Sequence, residues 1–253
     1  MELRISDTKK HKKLVSWIKL LETLNEEMTL IVDGEGISVR SMDNSHVEMI
    51  DCTIQPSNFD HFMITGKEEL NLSIVELRQV LERFDMVKDT MTITTDKDKS
   101  KLLLKANRLD SRVREFSVNL METLEGEVPE PKIMFDAKVR VTLEDLTEAL
   151  VSANMYTENV DFIIPQTTGD SKLRVEGKGE RGTYWDEITP ISGEVSEHSK
   201  ATFTMSYLMD LVKALKPLAN VLSVQMSTDM PLHLDVEVES GKLKLWLAPC
   251  ISS

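Results

Sequence analysis

Asp96-Lys97-Asp98 sets two carboxylates two residues apart, the kind of acidic pair that holds a divalent metal in phosphoryl-transfer enzymes. The runs on either side, TMTITT and KLLLKA, are strand-like, so the pair reads better as the tip of a hairpin. His46, His61 and Cys52 are the other conceivable metal ligands, but a lone histidine in a strand region is more often structural. GKGERG (177–182) is glycine-rich, yet it follows a strand without opening a helix, which a phosphate-binding loop would do. The sequence has no phosphate loop, no nucleophile elbow and no zinc-protease helix. The enzyme reading is therefore reduced to a nuclease or phosphatase acting through scattered carboxylates. Metal-dependent turnover lost with Asp96 or Asp98 would be its mark. No cofactor and no metal site is expected.

Positive charge is the more informative feature. DTKKHKK (7–13) holds four lysines within five positions of a chain whose formal net charge is −13. Residues 1–119 carry 18 Lys+Arg against 21 Asp+Glu, whereas residues 120–253 carry 12 against 22. So acidic a surface predicts solubility and weak general affinity for nucleic acid, so any DNA contact must be local and directed. There is no signal segment and no apolar run approaching a membrane span, which predicts a soluble intracellular protein with reduced Cys52 and Cys250.

The elements that carry these residues repeat. The 3.6-residue apolar period predicts helices over 8–24, 71–84, 142–154 and 206–216, each followed by alternating strand runs. The helices start about every 65 residues, so the unit recurs four times and the half-chain twice. Between the halves, NLMETLEGEVPEPKI combines acids, a glycine and two prolines, which no regular helix tolerates. The expected organisation is an N-terminal domain over 1–118, a connector over 119–133 and a C-terminal domain over 134–253. On the first helix Leu14, Ile18 and Leu21 point one way, while Lys9, Lys12, Lys13, Ser16 and Lys19 point roughly opposite. On the second, Arg78 and Arg83 flank the exposed side; on the fourth, Lys213 and Lys216 lie outside the leucine stripe. Charge runs are usually solvated faces, but three related helices with cations on the free side weaken that reading.

SMDNSHVEMI (41–50), STDMPL (227–232) and KLKLWLAPCIS (242–252) then identify a resemblance. Ser41-Met42-Asp43 with Ser45-His46-Val47, Asp229-Met230-Pro231-Leu232, and Leu247-Ala248-Pro249 with Ile251 keep, in order, the motifs of the proliferating cell nuclear antigen family of sliding clamps. The resemblance spans essentially the whole chain and implies an α+β clamp fold. In that fold two similar domains, each with two helices packed on antiparallel sheets, form a chain, and three chains close into a pseudo-sixfold ring. The implied function is non-enzymatic: the ring encircles duplex DNA without reading its sequence and holds replication and repair enzymes on it. The short tail resembles archaeal members, implying a cytoplasmic protein, or a nuclear one in a eukaryote.

Residue by residue, the resemblance implies a DNA-facing set of Lys9, Lys10, Lys12, Lys13, Lys19, Arg78, Arg83, Arg112, Lys213 and Lys216. One departure stands out: the third helix shows Glu144, Asp145 and Glu148 where the family usually places cations. The implied partner-docking set is Met42, His46, Val47 and Met49, then Val128, Pro129 and Ile133, then Met230 and Pro231, then Trp246, Leu247, Ala248, Pro249 and Ile251. It would receive a short PIP-box segment with a glutamine, an aliphatic residue and two aromatics, as carried by polymerase, flap endonuclease and ligase. A clamp loader, replication factor C, would open the ring. The expected ring edges are strands 111–119 and 172–180, with Phe116, Val118, Leu173 and Val175 as apolar contacts. Alternatives are one subunit of a heterotrimeric or checkpoint-type clamp, and the metal-dependent enzyme above.

Overall fold

Each helix follows closely on the end of a strand, and in three of the four a polar side chain at the junction caps it. The computed structural model describes residues 1–122, 128–166 and 172–250. Asp7 opens α1 (Thr8–Leu24), its Oδ1 accepting from the backbone of Lys9 and Lys10 at 2.7 and 2.9 Å. Ser73 caps α2 (Ile74–Leu81) and Thr142 caps α3 (Leu143–Ala153), each accepting from the third residue on. Thr204 precedes α4 (Met205–Leu215) without a side-chain cap. The second helix is shorter than its apolar period suggests. Asn71, Leu72 and Ser73 instead continue a strand paired with Thr29, Met28 and Glu27, and the Ile74 amide donates to Glu26.

The strands in chain order are β1 (Glu2–Ile5), β2 (Glu27–Asp33), β3 (Gly36–Met42), β4 (Glu48–Ile54), β5 (His61–Met63), β6 (Glu68–Ser73), β7 (Asp89–Thr95), β8 (Lys101–Arg108) and β9 (Val113–Met121). The second half adds β10 (Ala137–Thr142), β11 (Asn159–Ile164), β12 (Leu173–Gly179), β13 (Gly182–Ile188), β14 (Ser192–Val195), β15 (Ser199–Thr204), β16 (Ala219–Met226), β17 (Leu232–Val238) and β18 (Gly241–Leu247).

Two units form. One contains residues 1–42, 51–128 and 240–242; the other contains 43–50, 129–239 and 243–253. The grouping departs from a simple cut at the connector because 43–50 and 240–242 each join the unit of the opposite half. In the first unit strands run β5-β1-β7-β8-β9, and in the second β14-β10-β16-β17-β18, all antiparallel. A further sheet orders β13-β12-β11-β15, and its counterpart runs β3-β2-β6. Each of these eight strands of the first half thus has its match nine strands later, the duplication that the helix spacing implies.

Each unit has its own apolar core. In the first, Leu14, Trp17, Ile18 and Leu21 of α1 and Ile74, Leu77 and Leu81 of α2 are buried. In the second, Leu146, Leu150, Leu208, Leu211 and Leu215 play the same part. Fully burying such a side chain contributes about 1.5–3 kcal/mol. Gly36 turns the β2–β3 hairpin at φ 134°, and a Cβ there would meet the Ile54 carbonyl oxygen at 2.2 Å. Among the described residues no helix is long and apolar enough to cross a membrane.

Candidate functional site

Lys9 and Lys12 stand exposed on the outer side of α1 with no charged partner among the described residues, and Arg83 and Arg112 stand likewise. The other expected cations of this unit are partly spoken for. Lys10 pairs with Asp60 at 2.8 Å and donates to the Phe59 carbonyl, and Lys13 is half-buried with contacts of its own. Lys19 pairs with Glu82 at 2.9 Å. Arg78 bridges Glu22 and Glu82, tying α2 to α1, and its bond to Glu22 raises its pKa further. Glu82 is correspondingly held below the ordinary carboxylate range, first by Lys19. The net positive field of this face therefore rests on fewer side chains than the sequence alone suggests.

In the second unit Lys213 leans toward Asp210 at 3.6 Å and Lys216 is exposed with no charged partner among the described residues. Glu144, Asp145 and Glu148 are all exposed on α3, and that helix has no cation at all. An evenly basic lining is not what these helices provide.

The SMDNSHV segment is a turn organised by one carboxylate. Asp43 Oδ1 accepts from the amides of Val47 and Glu48, both at 2.7 Å, and its Oδ2 accepts from Ser45 at 3.1 Å. The Asp43 amide donates back to the Glu48 carbonyl, and His46 sits at φ 57° to let the chain reverse. The Ala248 amide then donates to the Val47 carbonyl at 2.8 Å, joining the tail to the turn. Asp43→Ala should free three amides and lower unfolding stability by about 2–4 kcal/mol, each bond to a charged group contributing about 1.5–3 kcal/mol minus water's replacement. Urea unfolding checks this; an unchanged midpoint would mean that the turn is held otherwise.

The second unit has His46, Pro129 and Met230 exposed, with Val47, Ile133, Pro231, Ala248 and Pro249 half-buried. Trp246 lies buried, stacked on His233 at 4.7 Å between ring centroids. Three expected docking residues are corrected. Met49, Trp246 and Leu247 are buried at 2%, 6% and 1% exposure, because Glu48–Ile50 and Leu245–Leu247 are stretches covered on both faces of their strands. Met42 and Val128 are half-buried in the first unit, and Ile251 lies outside the described residues.

The expected edges are corrected in one case. Over residues 113–119, β9 pairs among the described residues only with β8, since β6 meets it at Leu120 and Met121, so among those residues this stretch has a free side. β12, in contrast, is paired on both sides, with β11 and β13. Leu173 and Val175 are accordingly fully buried, and Val118 is buried too, so none of the three is an outward contact. The open strand is β13, which bears Trp185 at 53% exposure beneath the Arg174 guanidinium, 4.5 Å from its ring centroid. On β9, Val113 is exposed and Phe116 half-buried against Phe84.

The enzyme-like features resolve into structure. Asp96 Oδ1 accepts from the amides of Ser100 and Lys101, closing the β7–β8 hairpin, and these bonds lower its pKa. Cys52 is buried and its thiol is pushed up to about 12, which makes it inert. No cluster of three or more His, Cys, Asp or Glu fit for a metal occurs among the described residues.

Comparison with known proteins accounts for this arrangement along its length. Residues 1–127 match the family model of the proliferating cell nuclear antigen N-terminal domain, and residues 137–251 match that of its C-terminal domain. The chain is 28% identical over 243 residues to a DNA polymerase sliding clamp of Cenarchaeum symbiosum, covering 93% of this chain and 94% of that one. It is also 28% identical over 243 residues to the sliding clamp of Pyrococcus abyssi, covering 94% of each. A third clamp, from Thermococcus fumicolans, is 29% identical over 243 residues, covering 94% of each chain. With both domain models matched in order and nearly end to end, the chain belongs to the proliferating cell nuclear antigen family.

Proposed function

We propose that this chain is a DNA sliding clamp: a non-enzymatic ring that encircles duplex DNA and keeps a polymerase on it. The observation that carries the reading is the match of both clamp domains, in order, over 1–127 and 137–251. In this reading domains over 1–118 and 134–253 are joined by a connector over 119–133, and three identical chains close the ring in the cytoplasm. The free side of β9 and the open strand β13 support that assembly, because two unlike edges that pair head to tail close into a ring.

DNA passes the cationic sides of α1, α2 and α4, and the acid-faced α3 contributes least to holding it. Phosphate contacts of this sort carry no sequence information, and non-specific affinity is only about 10⁻⁴–10⁻⁶ M, so the ring slides and closure prevents escape. The exposed His46, Pro129 and Met230 support docking of a glutamine-aliphatic-aromatic segment. We assign that docking mode to polymerase, flap endonuclease and ligase, and ring opening to replication factor C.

The first test is the mass of the chain in solution, for which three times 28.7 kDa is expected. A monomer at micromolar concentration would leave the chain needing other subunits. The second is Lys9→Ala with Lys12→Ala. Association with duplex DNA should weaken, and its salt slope should fall by about 2, at roughly 0.9 for each phosphate that the variant no longer neutralises. An unchanged slope would remove α1 from the DNA face.

A further inference from the structure

His233 is a buried titratable group that sliding does not use. It is 9% exposed, yet neither ring nitrogen has a hydrogen-bond partner among the described residues. Its imidazole lies between two aromatic rings, Trp246 at 4.7 Å and 16° on one side and Phe135 at 5.6 Å and 18° on the other. The stack joins three elements. His233 is on β17, Trp246 is its cross-strand neighbour on β18, and Phe135 comes from the chain segment that precedes β10. That segment is also fastened by the Glu130–Lys244 ion pair at 2.6 Å, by the Asp136 amide donating to Ser227 Oγ at 2.9 Å, and by the Asp136 carbonyl accepting from the Ser196 amide at 2.7 Å and its hydroxyl at 2.9 Å.

We infer that His233 is a proton-sensitive clasp, holding residues 129–136 on the β17–β18 face as a neutral ring, and that acidification releases this segment and weakens partner docking there. The second half of the inference rests on the docking reading above. An imidazolium carries two N–H donors, and the stack offers acceptors to neither. The charged groups that face it divide: Asp235 on β17 and Glu130 on the segment favour a proton, while Lys244 on β18 and Lys138 on β10 oppose one. Burial outweighs all four, and the pKa of His233 lies below the ordinary histidine value. A released segment exposes the ring to water and restores its ordinary affinity for protons. Below about pH 6.5 protons therefore favour the released state, and they do so until the clasped form also titrates.

The test uses the full chain at constant ionic strength between pH 7.5 and 5.5. Hydrogen exchange of the amides of 129–136, corrected for intrinsic pH dependence, should show protection falling, by at most about tenfold at pH 5.5, which lies about one unit below the ordinary histidine value. In His233→Leu, which refills the space between the rings, protection should be independent of pH. NMR titration of the parent should place His233 below the ordinary value, and Phe135→Leu should move it back upward by exposing the ring. Constant protection in the parent, or an equal loss in His233→Leu, would overturn the clasp. So would an ordinary titration of His233 in the parent.

A synthetic docking peptide with one glutamine, one aliphatic residue, two aromatics and no histidine should bind more weakly at pH 5.5 than at pH 7.5, in proportion to the fall in the clasped fraction and by at most about tenfold. Binding that does not vary with pH would overturn the control of docking. No binding at any pH, with the exchange result intact, would defeat the docking reading while supporting the clasp. Light scattering at each pH separates either result from loss of the ring.

Discussion

Above neutral pH, Glu48→Gln should be more stable than the parent by about 3–5 kcal/mol, and the gain should shrink steadily as pH falls toward 5. Glu48 is 4% exposed, and its carboxyl has no side-chain hydrogen bond among the described residues. Burial, then Asp43 beside it, then Asp210 from α4, push its pKa up to about 8. The unfolded chain titrates this group near the ordinary carboxylate value, so between that value and 8 the folded state holds a proton that the unfolded state has released. Stability must then fall as pH rises through this window and level off above 8. The amide variant never ionises, so it lacks the fall. Thermal unfolding at fixed protomer concentration from pH 5 to 9 measures this directly, and parallel curves for the two proteins would refute it. The effect is local in origin. The Glu48 amide is bound by Asp43, and the adjacent Val47 carbonyl receives the tail at Ala248, so the charge develops inside the turn that belongs to the proposed docking side.

Glu48 also shows what one sequence can and cannot disclose. SMDNSHVEMI is legible as a motif, but not that its glutamate is buried between two aspartates, because Asp210 arrives from a helix more than 150 positions away. The helices are legible from their period, and the duplication from their spacing, since both are local or recurring properties. The period over-extends α2 because it continues from β6 into the helix without a break; pairing with β2 decides where the strand stops. The sequence is right about which cations are present and too generous about their field. Lys19 and Arg78 are balanced by Glu82 and Glu22, and pairing across two helices cannot be counted from charges. The family resemblance places the second edge on 172–180, and the local strand pattern does not correct it. β12 and β13 form one hairpin, and only the long-range partner, β11, determines which strand lies inside.

That correction yields the prediction with the largest effect. Trp185→Lys should convert the assembly to protomers of 28.7 kDa at micromolar concentration while leaving the far-ultraviolet spectrum unchanged. A tryptophan anchor at the centre of an interface contributes about 2 kcal/mol or more, and a lysine on an edge strand also repels pairing. The proposed ring of three would lose this at every junction at once. Val113→Lys, on the free side of β9, should do the same from the other edge. Mixing the two variants discriminates the geometry. Each retains one intact edge, the β9 edge in Trp185→Lys and the β13 edge in Val113→Lys, so one sound junction can form between unlike chains. The edges left over are both damaged, and growth stops there. The mixture should therefore reach twice 28.7 kDa and no further, with neither variant dimerising alone. Two-fold pairing of like edges cannot give this pattern, because a chain with one sound edge would dimerise with itself. If either single variant keeps the parent mass, that strand is not a ring edge; if the mixture stays monomeric, β9 and β13 do not meet.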